Sequence, residues 1–268
     1  MLQYPKFDPA IVHITDTLQV RWYGVMYIVA FVGCWLLFRL RVRRDPAWQE
    51  GDRKIDILFY IALGVILGGR IGYVLFYGLG VFLQDPLFLF RVWEGGMSFH
   101  GGLIGVMIGM WLFSLKYNHA FLEIADLLAP VVPFGIFMGR FGNFINGELW
   151  GNVTQVPWGM VFPEGGSLPR HPSQLYAMAL EGLLMFILLW WYGAKPRERG
   201  AVSGLFLILY ALIRIFEEIF RQPDPQYGYL AFGWVTMGQV LSVPMLILGI
   251  FLFWFSKHSA RFKCPKFK

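Results

Sequence analysis

Seven stretches of this chain are apolar over close to the ~20 residues needed to cross ~30 Å of hydrocarbon, and this limits the fold before any motif is read. They fall at approximately 22–38, 55–79, 100–115, 121–147, 175–193, 201–220 and 235–256. With 57% of its 268 residues hydrophobic and only 15% charged, the chain is too apolar for an ordinary soluble domain. The expected fold is an all-α polytopic membrane protein. It would be a single integral membrane domain over 1–268, with about seven transmembrane helices and a small outward-facing cap at 148–174.

An odd number of crossings puts the termini on opposite sides, and the basic residues decide which. Segments 39–54, 116–120, 194–200 and 257–268 hold 15 Lys/Arg, whereas Lys6, Arg21, Arg91, Arg170 and Arg221 lie on the other side. By the positive-inside rule the N-terminus and 148–174 face outward and the C-terminal tail faces the cytoplasm. The net charge of +6 thus has a topological cause, and nucleic acid is not an expected partner. The first ten residues lack the pattern of a removable signal peptide, so the first span is expected to act as the insertion signal. Cys34, inside that span, and Cys264, in the basic tail, do not suggest a disulfide, and neither is a candidate nucleophile.

Small residues predict where helices touch. Gly64, Gly68 and Gly72 in the second span, and Gly101, Gly105 and Gly109 in the third, are spaced for close backbone approach. Pro130 and Pro133 predict a bend in the fourth span.

Against this background the run GRFGNFINGELWG, from Gly139 to Gly151, stands out, because it places Arg140, Asn143, Asn146 and Glu148 at the end of an apolar span. Such groups inside a membrane are functional candidates by default, although a buried network that only fixes helix packing would use the same residue types. Tyr23, His100, His171 and Arg221 also fall at the outer ends of spans, and Arg70 lies in the outer half of the second. Two guanidinium groups there suit a phosphate, since they stay charged when partly desolvated and offer forked donors. Arg140 and Arg221 are the candidates. Ordinary helix ion pairs with Glu217 and Glu218 are the plainer reading of Arg214 and Arg221. His100, in FHGGL, is a candidate general base with glycines that allow close approach. No His, Cys or carboxylate spacing suggests a metal, no cofactor is expected, and no serine nucleophile motif occurs. A transporter or flippase for an anionic amphiphile would use the same arginines without making a bond, and would favour inverted repeats, which are not found.

GRFGNFINGELWG resembles the signature of the bacterial prolipoprotein diacylglyceryl transferases. The resemblance extends to RWYGVMY, GGRIGYVLFY, RVWEGGMSFHGGLIG, LPRHPSQLY, GAVSGLFL and FRQPD, in the family's order. It implies transfer of a diacylglyceryl group from phosphatidylglycerol to the lipobox cysteine thiol in the signal peptide of a secreted precursor, forming a thioether and releasing glycerol phosphate. It also implies a bacterial plasma membrane, with membrane lipid around the chain. By motif, catalytic roles fall on His100, Arg140 and Arg221, and substrate binding on Tyr23, Asn143, Glu148 and Gly151; Arg70, in the outer half of the second span, and Asn146, in the polar run, are further substrate-binding candidates from their positions alone. One departure is that many relatives read LYE where this chain has Leu175-Tyr176-Ala177.

Overall fold

The computed structural model describes residues 2–5, 7–13, 19–43, 45–223 and 228–258; Lys6, Cys264 and the basic residues beyond His258 lie outside the described residues. In chain order the elements are β1 Leu2–Gln3, β2 Ala10–His13, β3 Gln19–Arg21, α1 Trp22–Val42, α2 Arg53–Tyr77, α3 Leu79–Gln84, α4 Phe99–Tyr117, α5 Phe121–Leu128, α6 Val132–Ile145, β4 Met160–Val161, α7 Ser173–Tyr192, α8 Ala201–Glu217 and α9 Met237–His258. They group into two compact units. The first holds the residues up to Arg41 and those from Asp126 onward; the second is Val42–Ala125.

Among the described residues, helices α1, α2, α4, α7 and α9 are long and apolar enough to cross a membrane, and α5 and α6, taken together and bent by 50° at their break, bring the candidate spans to as many as six. The chain is a multi-pass membrane protein. The bend falls where Pro130 and Pro133 were expected to place it, since each lacks an amide donor and crowds the preceding turn. The expected span 201–220 is shorter than the sequence suggested. Helix α8 has 17 residues and stops at Glu217, where it enters a cluster of buried charges. Nor is the fold wholly helical. β1 pairs in parallel with β4 (Leu2 opposite Met160), and β2 pairs antiparallel with β3.

In the second unit, α2 and α4 meet along the two glycine rows. A Cβ on Gly105 would lie 2.0 Å from the Gly64 carbonyl oxygen, and one on Gly68 would lie 2.3 Å from that of Gly101. No side chain fits between these backbones, so dispersion contacts between main chains hold the pair. At the far end of the two helices, Asp56 accepts hydrogen bonds from Lys116 and Tyr117. Trp48 is fully buried, stacked on Phe113 and His119.

In the first unit, Gly182 of α7 lies against α6, where a Cβ would come within 2.8 Å of the Phe137 Cβ. Met185, Leu189 and Val202 form the buried core between α7 and α8. Tyr4, brought in by the β1–β4 pairing, donates its hydroxyl proton to the carbonyls of Phe144 and Ile145 at 2.5 and 2.8 Å. The Phe144 carbonyl also accepts from the Gly147 amide at 3.0 Å, so the N-terminal segment and the turn after α6 together close its C-terminal end.

Gly105→Ala is expected to lower stability by about 1–3 kcal/mol, the usual cost of overpacking. Gly80→Ala, where nothing lies within 4 Å of the added Cβ, should be near neutral. Thermal unfolding in detergent measures both.

Candidate functional site

The signature run closes on itself at one end of the first unit. Helix α6 ends at Ile145, and the chain reverses through positive φ at Gly147 (67°) and Leu149 (59°). Glu148 is therefore turned back toward α6. Its amide donates to the Asn143 carbonyl at 3.1 Å, and its Oε1 accepts from Asn143 Nδ2 at 2.8 Å and Asn146 Nδ2 at 3.4 Å. Gln174 Nε2 binds the Glu148 carbonyl, and Ser173 Oγ binds that of Leu149 at 2.7 Å, so the start of α7 holds the turn. Tyr23, at the start of α1, packs over Gly142, where a Cβ would meet its ring at 2.9 Å.

Gly151 brings in the end of α8. It pairs with Arg221 as an antiparallel bridge, and its amide donates to the His171 carbonyl at 2.8 Å. A Cβ here would sit 2.3 Å from the Phe220 carbonyl oxygen, so only glycine allows the strands this close. Arg170 joins the same corner, donating to the Gly165 and Gly151 carbonyls and to Gln222.

Below this turn lies a cleft lined by Arg140, Leu149, Ser173, Gln174, Ala177, Arg214, Glu217 and Arg221. Arg140 presents Nε and Nη2 to Glu181 Oε2, at 3.0 and 2.9 Å, and the Glu181 side chain is wholly buried. Arg214 continues the chain of charges. It lies 3.9 Å from Glu181 Oε1 and 4.0 Å from Glu217 Oε2, and it pairs closely with Glu218, whose Oε1 is 3.8 Å from Arg221 Nε. Three guanidinium groups are thus held toward one cleft by three buried carboxylates. This arrangement can accept an oxyanion without moving the charges that receive it.

Of the residues nominated from the sequence, Tyr23, Arg140, Asn143, Asn146, Glu148, Gly151 and Arg221 lie at this end of the first unit, while Arg70 and His100 belong to the second. Arg70 is 3% exposed and donates to the carbonyls of Phe88, Leu89, Gly95 and Gly96, with its guanidinium 4.7 Å from the Phe88 ring. It clamps the segment after α3. His100 is exposed in the first turn of α4, which Ser98 caps by accepting from the Gly101 amide.

Glu181 and Glu217 were not nominated. Glu181 lies in a seven-residue π-helical stretch of α7, Met178–Leu184, whose wider turn changes the facing of its side chains. A carboxylate in the middle of an apolar span was the available signal. Ala177 lines the same cleft as Glu217, so the carboxylate facing this position comes from α8.

Fold and site define a multi-pass membrane protein with an arginine-lined cleft at one end of its helices. The family model described as prolipoprotein diacylglyceryl transferase matches residues 9–255. A phosphatidylglycerol–prolipoprotein diacylglyceryl transferase of Legionella pneumophila (strain Philadelphia 1) is 57% identical over 254 residues, covering 95% of this chain and 99% of the relative. Its counterpart in Coxiella burnetii (strain RSA 331) is 53% identical over 262 residues, covering 97% and 100%. The chain belongs to the prolipoprotein diacylglyceryl transferase family.

His171 gives a pH dependence. Its Nδ1 lies 3.0 Å from the Tyr176 hydroxyl, and burial against Phe220 and Tyr176 pushes its pKa below the ordinary histidine value. The unfolded chain then takes up the proton first as pH falls below about 6.5, and the stability this residue contributes at neutral pH is lost down to its folded pKa. Unfolding curves between neutral and mildly acidic pH should show this loss, and a His171→Gln variant should lack it.

Proposed function

We propose that this chain transfers the diacylglyceryl group of phosphatidylglycerol to the lipobox cysteine thiol of prolipoproteins, forming a thioether and releasing glycerol phosphate. The observation that carries the reading is the cleft shared by Arg140, Arg214 and Arg221, in a chain that matches the family over nearly its whole length. The names of the relatives supply phosphatidylglycerol and the prolipoprotein as substrates.

In this reading the precursor's thiolate attacks the glyceryl carbon that bears the phosphate ester. The S–C bond forms as the C–O bond breaks, and the electron pair leaves with glycerol phosphate. Arg140 and Arg221 hold the phosphate and neutralise the charge that grows on its leaving oxygen. Arg214 lies beside them and shares that field. His100 accepts the thiol proton, which passes on to solvent or to the departing phosphate. Tyr23, Asn143, Asn146 and Glu148 orient the glycerol head group, and Gly151 keeps Arg221 in place. Arg70 contributes through the segment it clamps.

The distribution of Lys and Arg supports a bacterial plasma membrane protein with its N-terminus and 148–174 outside and its tail in the cytoplasm. Helix α8 is the seventh crossing, its shorter length met by the turn that carries Glu218 to Arg221.

Purified protein incubated with phosphatidylglycerol and a lipobox peptide should yield a diacylglyceryl adduct on the cysteine by mass spectrometry; intact peptide with a folded enzyme would reject the reading. Arg140→Lys should lose most turnover, because an ammonium keeps the charge but not the fork that grips Glu181 and phosphate together. Near-normal turnover in that variant would remove bidentate contact from the mechanism.

His100→Gln should keep lipid affinity within a few-fold and lose turnover by ~100-fold or more, the scale of a lost general base. Raising pH toward the thiol value of about 8.5 should recover part of it, since thiolate then forms unaided. Loss of lipid binding without pH recovery would make His100 a head-group ligand instead.

A further inference from the structure

Leu149 stands at φ 59°, in the left-handed region that a bulky side chain rarely enters. Asn118, at φ 53°, is suited to that conformation, because it ends α4 and has a short amide side chain. Leu149 ends no helix; α6 stops at Ile145, and the strained residue follows Gly147, which has already turned the chain. Its place is fixed from both sides. Gln174 Nε2 donates to the Glu148 carbonyl, Ser173 Oγ donates to the Leu149 carbonyl at 2.7 Å, and the Gly151 amide donates to the His171 carbonyl at 2.8 Å. Backbone strain that the surrounding bonds over-determine in this way gathers at binding and catalytic sites.

The conformation sends neighbouring side chains to different places. Trp150 packs on the buried cluster of Tyr4, Phe144 and Phe162, whereas Leu149 lines the arginine cleft and remains 39% exposed. Among the described residues lining that cleft only Leu149 and Ala177 are apolar, and Ala177 is buried. Leu149 therefore supplies the open apolar surface of a cleft otherwise made of charged and polar groups. We propose that Leu149 is a specificity-determining residue, which receives an aliphatic side chain of the precursor peptide beside its reacting cysteine. This deepens the transferase reading and rests on it.

Depth along α6 selects the occupant. Arg140 lies one and a half turns before the end of the helix, about 7.5 Å deeper than Ile145, and Leu149 follows that end. In the proposed orientation Leu149 thus stands at the outer mouth of the cleft, with Arg140 on its hydrocarbon side. A lipid with its phosphate on the arginines extends its acyl chains into the bilayer, away from Leu149. Its glycerol head group is polar and gains nothing by covering a leucine. The precursor is the remaining substrate, and its thiolate must reach the carbon that bears the phosphate ester. Side chains beside that cysteine then lie at the mouth, where covering an aliphatic group on each partner favours binding.

Transfer kinetics with purified protein in detergent separate the two substrates. Leu149→Asn removes the aliphatic surface and installs a residue that tolerates the left-handed region, so its melting temperature should equal or exceed that of wild type. Its KM for a lipobox peptide should rise roughly 10-fold, the scale of one lost aliphatic contact, while its KM for phosphatidylglycerol stays within about two-fold. Leu149→Met, which keeps the apolar surface, should recover most of the peptide affinity. Peptides in which each aliphatic side chain flanking the cysteine is changed in turn to Ser locate the partner. One such change should cost wild type a similar factor and cost Leu149→Asn little. An unchanged peptide KM in Leu149→Asn, or no coupling to any flanking side chain, would overturn the proposal. A lower melting temperature in both variants would make Leu149 a packing residue and overturn it too, and a raised KM for phosphatidylglycerol alone would assign the contact to lipid instead. No adduct from wild type rejects the transferase reading itself, whereas transfer by wild type with no discrimination at Leu149 rejects this inference and leaves that reading standing.

Discussion

The ion pair between Arg140 and Glu181 is the interaction on which the site depends. Both side chains sit inside a bundle of apolar helices, and the Glu181 side chain has no solvent exposure. Charges in that setting are tolerated only in pairs, and a buried pair adds little net stability because desolvation offsets most of its attraction. Its effect lies in the asymmetry between keeping and losing it. Removing one partner leaves an uncompensated buried charge, at a cost of about 3–5 kcal/mol. Alternative packings of α6 against α7 that separate the two charges meet a comparable penalty. Gly182 and the π-helical stretch around Glu181 make the close approach possible.

From this pair the charges extend in one direction. Arg214 reaches Glu181, Glu217 and Glu218, and Glu218 reaches Arg221, so α6, the middle of α7 and the end of α8 are joined through alternating signs. Backbone pairing of Gly151 with Arg221 fixes the far end of the series. In the proposed reaction a phosphate entering the cleft meets donors whose positions are already set, and the cost of ordering them falls on folding and not on binding.

Much of this could be read in the sequence because membrane proteins announce themselves locally. Apolar runs of membrane-spanning length, the bias of Lys and Arg, the glycine rows on α2 and α4, and the prolines before α6 are all properties of short windows. The run from Gly139 to Gly151 declared itself in the same way, as polar side chains where hydrocarbon should be. Family membership was legible from it, because motif spacing is a property of the linear chain.

Other features depended on contacts between distant residues. Glu148 stands in the sequence just past the end of an apolar span, and it returns to Asn143 through a left-handed turn that no periodicity predicts. Glu181 read as one more residue of an apolar span until a change of helical pitch aimed it at Arg140, 41 residues away. Arg70 had the residue type of a phosphate ligand, and only the fold supplied the carbonyls that occupy its donors. Tyr4 became the cap of α6 because a two-residue strand near the start of the chain pairs with one at Met160. The sequence alone thus determined the solvent this chain folds in, the places where its helices cross and the residue types its site can use. Tertiary structure decided which charge meets which, because in a medium of low polarity a charged group takes its role from the partner that the rest of the fold brings to it.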